Sequence, residues 1–443
     1  MKIVQQVFVI IIPAILFITS CKKDMESYLT IYDENFLNAL IQLGVDKNGD
    51  ELISSQEAEV ITSLNVSNCG ISDMTGIEKF TNLRALHCYN NKITSLDISN
   101  SMNLDTLNCF NNQLSSLDIF GNPKLKYFDC SNNGLTDLNL SSNISLEMFL
   151  CSSNLLTSLD VSNKPAMSYL DCANNLLSTL DVSNDTALTS MNCKSNQLKS
   201  LNFSNNGAIE FIICTDNQLT TIDLSSCPSI ISLYIENNQL ASLDLSTNTN
   251  LIGLKCSNNQ LSGIELTTTD LDYFECQNNK LTTLDLSTSS KLTLVDCSKN
   301  QLSELDLSNN SKVEFINCEF NHISTLDISL NTELRSLNCN DNLLTLLDIS
   351  NNPLLHDLRC CRNKLTNIIV QNNSSLQQLY CSYNQLTQLD ITSCNGLNGL
   401  EIAYMPTLYK VCVWKIPFPP SGGLWLDTTG SPNVYFTTEC DGG

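Results

Sequence analysis

The chain's reactive side chains are an uneven set: 3 histidines, 21 cysteines and 46 acidic residues among 443. Acid–base or nucleophilic catalysis needs a base held beside a nucleophile or a second acid in a closed site. His87, His322 and His356 stand at three different positions of a repeating pattern, so no two are set up to share a site. No Gly-x-Ser-x-Gly, His-Glu-x-x-His or phosphate-binding loop occurs. The carboxylates recur at fixed spacing, as Asp97, Asp118, Asp160, Asp181, Asp223 and onward to Asp390. That describes a surface column, not a pocket that would shift their pKa values. A cation ladder along it would need converging ligands, which a flat strand does not supply. Hydroxyls such as Ser95 and Ser99 can instead donate to the column. An enzyme is not expected.

The cysteines repeat as regularly. Fourteen of the 21 occupy one slot, from Cys88 to Cys214 and from Cys256 to Cys381, and Ile235 and Ile402 fill the same slot elsewhere. A position that accepts isoleucine is a core position, and free cysteine packs as a small hydrophobe. Thiolate metal sites come in paired spacings instead. Cys227, Cys361 and Cys394 have no evident place in the pattern.

What positions these residues is a 21-residue period. One unit reads Leu83, Leu86, Cys88, Asn91, Ile93, Leu96, Asp97 and Ile98; the next reads Leu104, Leu107, Cys109, Asn112, Leu114, Leu117, Asp118 and Ile119. The frame runs to Leu397-Leu400-Ile402, about sixteen units, and one residue is missing between Cys256 and Cys276. The pattern resembles the leucine-rich repeat, in its short bacterial form with cysteine in the third apolar slot. The turn from Ile71 to Leu83 is similar to internalin repeats. Alternation around Leu86 and again around Leu96 predicts two short parallel strands per turn, with Asn91 at a corner satisfying backbone groups. The expected fold is a β-rich, weakly curved solenoid of about sixteen such turns, a rod of roughly 75–80 Å.

Ahead of the repeats, Asp33 to Ile41 reads as an N-capped amphipathic helix. The following Asp46-Lys-Asn48-Gly-Asp50-Glu-Leu52-Ile-Ser54-Ser-Gln-Glu57 resembles an EF-hand loop. The resemblance implies one structural calcium ion held by Asp46, Asn48, Asp50, the Leu52 carbonyl, Ser54 and Glu57. Glu51 departs from it, standing where the sharp turn usually takes glycine. At the N-terminus, Lys2 and the apolar run Val7–Phe17 form an export signal too short to span a bilayer. Ile18-Thr19-Ser20-Cys21 resembles a bacterial lipobox, and Ser-Cys-Lys-Lys-Asp is similar to lipoproteins of the Bacteroidota. This implies lipidation at Cys21 and anchoring in the outer membrane.

The expected organisation is a signal peptide over 1–20, a tether over 21–32 and a helical, EF-hand-like cap over 33–62. The solenoid follows over 63–402, and a C-terminal cap over 403–443. Cys412 and Cys440 lie outside the repeat, where an end turn needs covering. An exported chain can keep a disulfide, so these two are expected to staple that cap.

A formal net charge of −23 disfavours nucleic acid. Tyr127, Tyr169, Phe211, Tyr273 and Phe315, with Met148 among them and Tyr234 and Tyr380 two places later in their turns, are predicted to face solvent on the first strands. Exposed rings on a repeat face suit recognition. The expectation is a monomeric, non-enzymatic recognition or adhesion protein of the cell envelope, binding a protein or glycan along that face. The alternative is an envelope spacer without a specific ligand.

Overall fold

The computed structural model describes residues 27–266, 270–420 and 423–440. Its framework is a parallel sheet of 18 strands, each of three residues, running from Ser63–Asn65 to Trp425–Asp427. The central residue of each strand points inward, as Leu86, Leu107, Phe128 and Leu170 do with no exposed surface. The sixteen turns expected from the repeat are all present. Two more strands extend them: Ser63–Asn65 pairs with Ala85–His87 at one end, and Trp425–Asp427 pairs with Gly399–Glu401 at the other. The segment beyond 402 is thus part solenoid and part cap.

The opposite side of each turn departs from expectation in a specific way. Its residues alternate as predicted, with Leu96 and Ile98 buried and Ser95, Asp97 and Ser99 exposed. Yet a paired second strand forms only in patches. These are Leu243–Asp244 with Ile264–Glu265, Leu346–Asp348 with Asn367–Ile369, and Gln388–Asp390 with Lys410–Cys412 and Tyr435–Thr437. The aspartate column bonds locally along this whole side. Asp97 Oδ1 accepts from the backbone N–H of Ser99 at 3.0 Å and from its hydroxyl at 2.7 Å. Asp160, Asp223, Asp285 and Asp327 hold the residue two places on in the same way. The paired patches keep the same bond, at Asp244, Asp348 and Asp390, so it is compatible with a ladder and does not decide where one forms.

Two corners join the sides, and each is held by a stack of polar side chains. At the first, Asn175 Nδ2 donates to the carbonyls of Cys151 (3.0 Å), Cys172 (3.1 Å) and Ala173 (3.2 Å), while its Oδ1 accepts from Leu156 N at 3.1 Å. The same set recurs at Asn112, Asn196, Asn259, Asn321 and Asn384. The residue before each adopts a left-handed backbone, such as Asn174 with φ 55°; asparagine tolerates this region best after glycine. The second corner went unread in the sequence. There Asn122, Asn143, Asn206, Asn248, Asn310, Asn331, Asn352 and Asn373 are buried, each donating to carbonyls of the preceding turn. Lys164, Asp185, Cys227, Ser289 and Cys394 fill the same slot in other turns. Cys227 and Cys394 therefore do have a place in the pattern.

The missing residue falls between Leu266 and Leu271, five apart where Leu245 and Leu251 are six apart. The front sheet does not register the loss, since Gly253 still faces Tyr273 and Leu254 faces Phe274.

At the N-terminus, helix α1 (Glu34–Gln42) is capped by Asp33 and buries Phe36, Ala39 and Leu40. The second carboxylate oxygen of Asp33 reaches Ser72 N at 2.8 Å and its hydroxyl at 2.7 Å, tying helix to solenoid. The end of the expected tether is also structured: Leu29 N donates to Ile53 O at 2.8 Å, and Leu29 and Ile31 pack on the core. At the other end Cys412 and Cys440 form the expected disulfide.

The two corners predict different sensitivities. Asn175→Ala strips donors from three buried carbonyls and an acceptor from a buried N–H, and should lower stability by about 3 kcal/mol or more. Asn331→Ala removes two donor bonds and should cost less. Urea denaturation of both variants would show the ranking, and a reversed order would contradict this account of the first corner.

Candidate recognition face

Six of the eight side chains expected on the front face share one row of the sheet. Tyr127 lies opposite Met148, Met148 opposite Tyr169, and the row continues through Ser190, Phe211, Ser232, Gly253, Tyr273 and Leu294 to Phe315. Phe211 and Phe315 are each 42% exposed and Met148 37%, whereas Tyr127, Tyr169 and Tyr273 are half-buried. Tyr234 lies in the row two residues on, between Ile213 and Lys255, and Tyr380 follows in that row beside Arg359.

The break in the row at Ser232 and Gly253 has a steric cause. A Cβ on Gly253 would collide with the ring of Tyr273, which leans into that space. Tyr273 thereby brings its hydroxyl to 2.9 Å from that of Tyr234 and 3.4 Å from Ser232 Oγ. The Lys255 ammonium sits 5.6 Å and 6.0 Å from the two ring centres and pairs with Glu275 at 2.8 Å. The hydrogen bond to Tyr273, then burial and nearby negative charge, push the Tyr234 hydroxyl up to about 12, so it stays protonated.

Towards the C-terminal end the same face turns into a groove of about 410 Å³ lined by Glu275, Asp296, Phe315, Asn317, Asp357 and Arg359. Beyond it the Arg359 guanidinium lies 5.5 Å from the Tyr380 ring, which in turn meets Trp425 at 6.1 Å. At the adjoining corner Arg362 covers Tyr383 at 4.6 Å, and Tyr383 stacks on Tyr404 at 4.5 Å. The sequence pointed to Tyr380 but not to Arg359, Tyr383, Tyr404 or Trp425. The signal was there: Tyr383 and Tyr404 take a left-handed corner position, with φ of 59° and 53°, that asparagine or another small polar residue fills in most earlier turns.

The cysteine column lies wholly inside. Cys88 through Cys381 have no exposed surface, as do Ile235 and Ile402 in the same slot. Burial raises these thiols, to about 12 at Cys88 and Cys339. Thiols held protonated in an apolar stack neither bind metal nor attack. The carboxylates of the aspartate column are engaged locally. Hydrogen bonds from Ser99 hold Asp97 below the usual carboxylate range, and Asp160 and Asp223 are held down likewise by Ser162 and Ser225.

In the loop resembling an EF-hand, Asp46 Oδ2 accepts from Glu51 N at 3.0 Å, and Glu51 adopts φ 64° in place of the usual glycine. The turn is thus attained, but its oxygens are occupied locally. Asn48 Oδ1 accepts from Asp50 N, and Asp50 accepts from Leu52 N and the Tyr28 hydroxyl. Glu57 caps the short helix α2 (Ser55–Glu59), accepting from Ser54 N at 2.9 Å and Oγ at 2.8 Å, while its other oxygen holds Lys47 N at 2.7 Å. Among the described residues, the one trio of acidic or thiol groups with ligand atoms within 4.8 Å of each other is Asp390, Cys412 and Cys440, and that trio contains the disulfide. Cys21, the expected lipidation site, lies outside the described residues.

Residues 103–142 match a model of two leucine-rich-repeat copies. Over 69 residues the chain is 39% identical to internalin J of Listeria monocytogenes serotype 4b (strain F2365), a match covering 16% of this chain and 7% of that protein. In structure it is similar to the functional domain of InlJ from Listeria monocytogenes, which includes a cysteine ladder: TM-score 0.68, 35% identity, 82% of this chain and 76% of that one. YopM from Yersinia enterocolitica WA-314 (TM-score 0.64, 22% identity, 81% and 78% covered) shares the fold. So does a plant peptide hormone receptor, RGFR1, in complex with RGF2 (0.68, 17%, 85% and 66%). The chain belongs to the leucine-rich-repeat proteins of the internalin-like kind.

Burial of the thiol column predicts its reactivity. In the native chain a water-soluble disulfide reagent should modify the half-buried Cys69 and leave Cys88 to Cys339, and Cys361, whose thiol burial also raises to about 12, untouched until denaturant is added. Rapid labelling of the column without unfolding would show that the stack opens far more readily than its burial implies.

Proposed function

We propose that this chain is a non-enzymatic recognition protein of the cell envelope that binds a protein partner across its front sheet. Internalin-like leucine-rich-repeat proteins are in general scaffolds for protein interaction. The observation that carries the reading here is the row from Tyr127 to Phe315. It places large apolar and aromatic side chains on a surface where the fold needs only something to cover a strand. Half-buried tyrosines fixed by their neighbours lose little entropy on contact and present both ring and hydroxyl. Lys255, Arg359 and Arg362, each beside a ring, add cationic points to a chain of strongly negative charge. A glycan partner would use the same face. Export and anchoring through a lipid on Cys21 would present the rod at the outer membrane, with the N-terminal cap nearest the bilayer.

The loop from Asp46 to Glu57 would take a structural calcium ion if Glu57 exchanged its bonds to Ser54 for the metal. Calcium should then raise the melting temperature of the chain, and Asp50→Ala should abolish the rise. A parent chain whose melting is indifferent to calcium would remove the ion from this reading.

The recognition face is tested with a soluble form of residues 28–443, applied to a panel of matrix proteins and glycans beside a Tyr127→Ser, Tyr169→Ser, Phe211→Ser variant. Loss of roughly 2 kcal/mol or more of binding free energy in the variant is expected for anchoring rings. Binding that survives all three substitutions would move the contact elsewhere, and no binding by either form would favour a spacer.

A further inference from the structure

The second corner contains one residue whose chemistry does not match its slot. Asparagines there donate with Nδ2 to backbone carbonyls of the preceding turn. Asn143 bonds Ile119 O and Asn122 O, and Asn206 bonds Val182 O and Asp185 O, at 2.9–3.1 Å. Asp185 occupies this slot with no exposed surface. Its Oδ1 accepts from Lys164 N at 2.7 Å, but Oδ2 is buried without a partner. By register, the carbonyls that an asparagine would bond here are those of Val161 and Lys164. A carboxylate brings two acceptors to a place built for a donor; only a protonated carboxyl supplies the missing hydrogen.

The charged groups around it do not offset the mismatch. Lys164, one turn back in the same slot, is itself buried, and its ammonium is turned to Ser162 O at 3.5 Å. Among the described residues no ion pair within 4.0 Å joins it to Asp185. Asp160 and Asp181 add negative charge from the adjoining side, and the slots on either side of this pair are the neutral Asn143 and Asn206. We infer that Asp185 works in the folded chain as a neutral carboxylic acid, donating where its neighbours' amides donate, and that its ionisation loosens the stack between the turns of Lys164 and Asp185. The corner is a joint that responds to pH.

Burial, opposed by the Lys164 N–H and ammonium and aided by Asp181 and Asp160, pushes this carboxyl up to about 7. In an opened chain it titrates as an ordinary aspartate, near 3.9. The folded state thus holds the proton more tightly. Its advantage is full below about pH 4, declines as pH rises towards 7, and is level above that.

Hydrogen exchange on the full chain tests this against Asp185→Asn, which restores the amide, each pair being compared at the same pH. At pH 3.5 parent and variant should exchange alike over residues 159–206. At pH 8 the parent's amides there should exchange at least about tenfold faster than the variant's, with residues 300–380 unchanged between the two. Parent and variant matching at both pH values would overturn the inference. Should the variant not fold, carbon-13 titration of aspartate carboxyls in the parent decides it: one buried carboxyl protonated near pH 6 supports the joint, and aspartates all ionised by pH 5 refute it.

Discussion

A side-chain amide at the first corner of fifteen consecutive turns, from Asn91 to Asn384, makes the rest of the molecule possible. Every turn must bring its backbone round a tight corner against an apolar core, leaving carbonyls and an N–H with no water and no strand partner. One asparagine answers several of these needs at once, and because its bonds reach back into the preceding turn it also fixes how turns stack. Asn175 joins Cys151 of one turn to Cys172 of its own. Front-sheet register, the burial of the cysteine column and the alignment of the outward row all follow from that repeated bond. Leucine and cysteine fill the interior, but amides decide the pitch.

Outward positions are free of that demand, and here the turns diverge. Where nothing else is asked of it, the left-handed position before the corner asparagine is asparagine again, and its amides form an exposed chain, as from Asn132 to Asn111 to Asn90. From Phe320 onward that position carries Phe320, Asp341, Arg362, Tyr383 and Tyr404. Bulky residues with positive φ are disfavoured, so the stacked rings there reflect a property of the surface and not of the fold. Together with Tyr234, Lys255 and Tyr273 they make the face chemically uneven along its length, which a recognition surface requires and a uniform spacer does not.

Much of this was legible in the residues themselves. The substitution of Ile235 and Ile402 for cysteine identified a core slot, the period identified the solenoid, and the aspartates beside serines identified local bonding. The second side was over-read as strand because alternation reports burial, and burial is the same whether or not the backbone bonds to the next turn. The second amide ladder was missed because its slot is interrupted by Lys164, Asp185, Cys227 and Ser289, although the remaining asparagines keep the period. The contact of Tyr273 with Tyr234 could not be read at all, since it depends on Gly253 in the strand between them and on a ring leaning across it.

The short turn between Leu266 and Leu271 has a consequence for how such a chain can change. One residue is lost there while Gly253 and Tyr273 remain face to face. The front sheet therefore behaves as a ruler of fixed graduation, about 4.8 Å per turn, and the far corner as the margin where length can be trimmed without moving a mark. Two contact groups on the face are separated by the number of turns between them, whatever number of residues those turns contain. Drift in chain length and conservation of a binding pattern are, in this architecture, independent of each other.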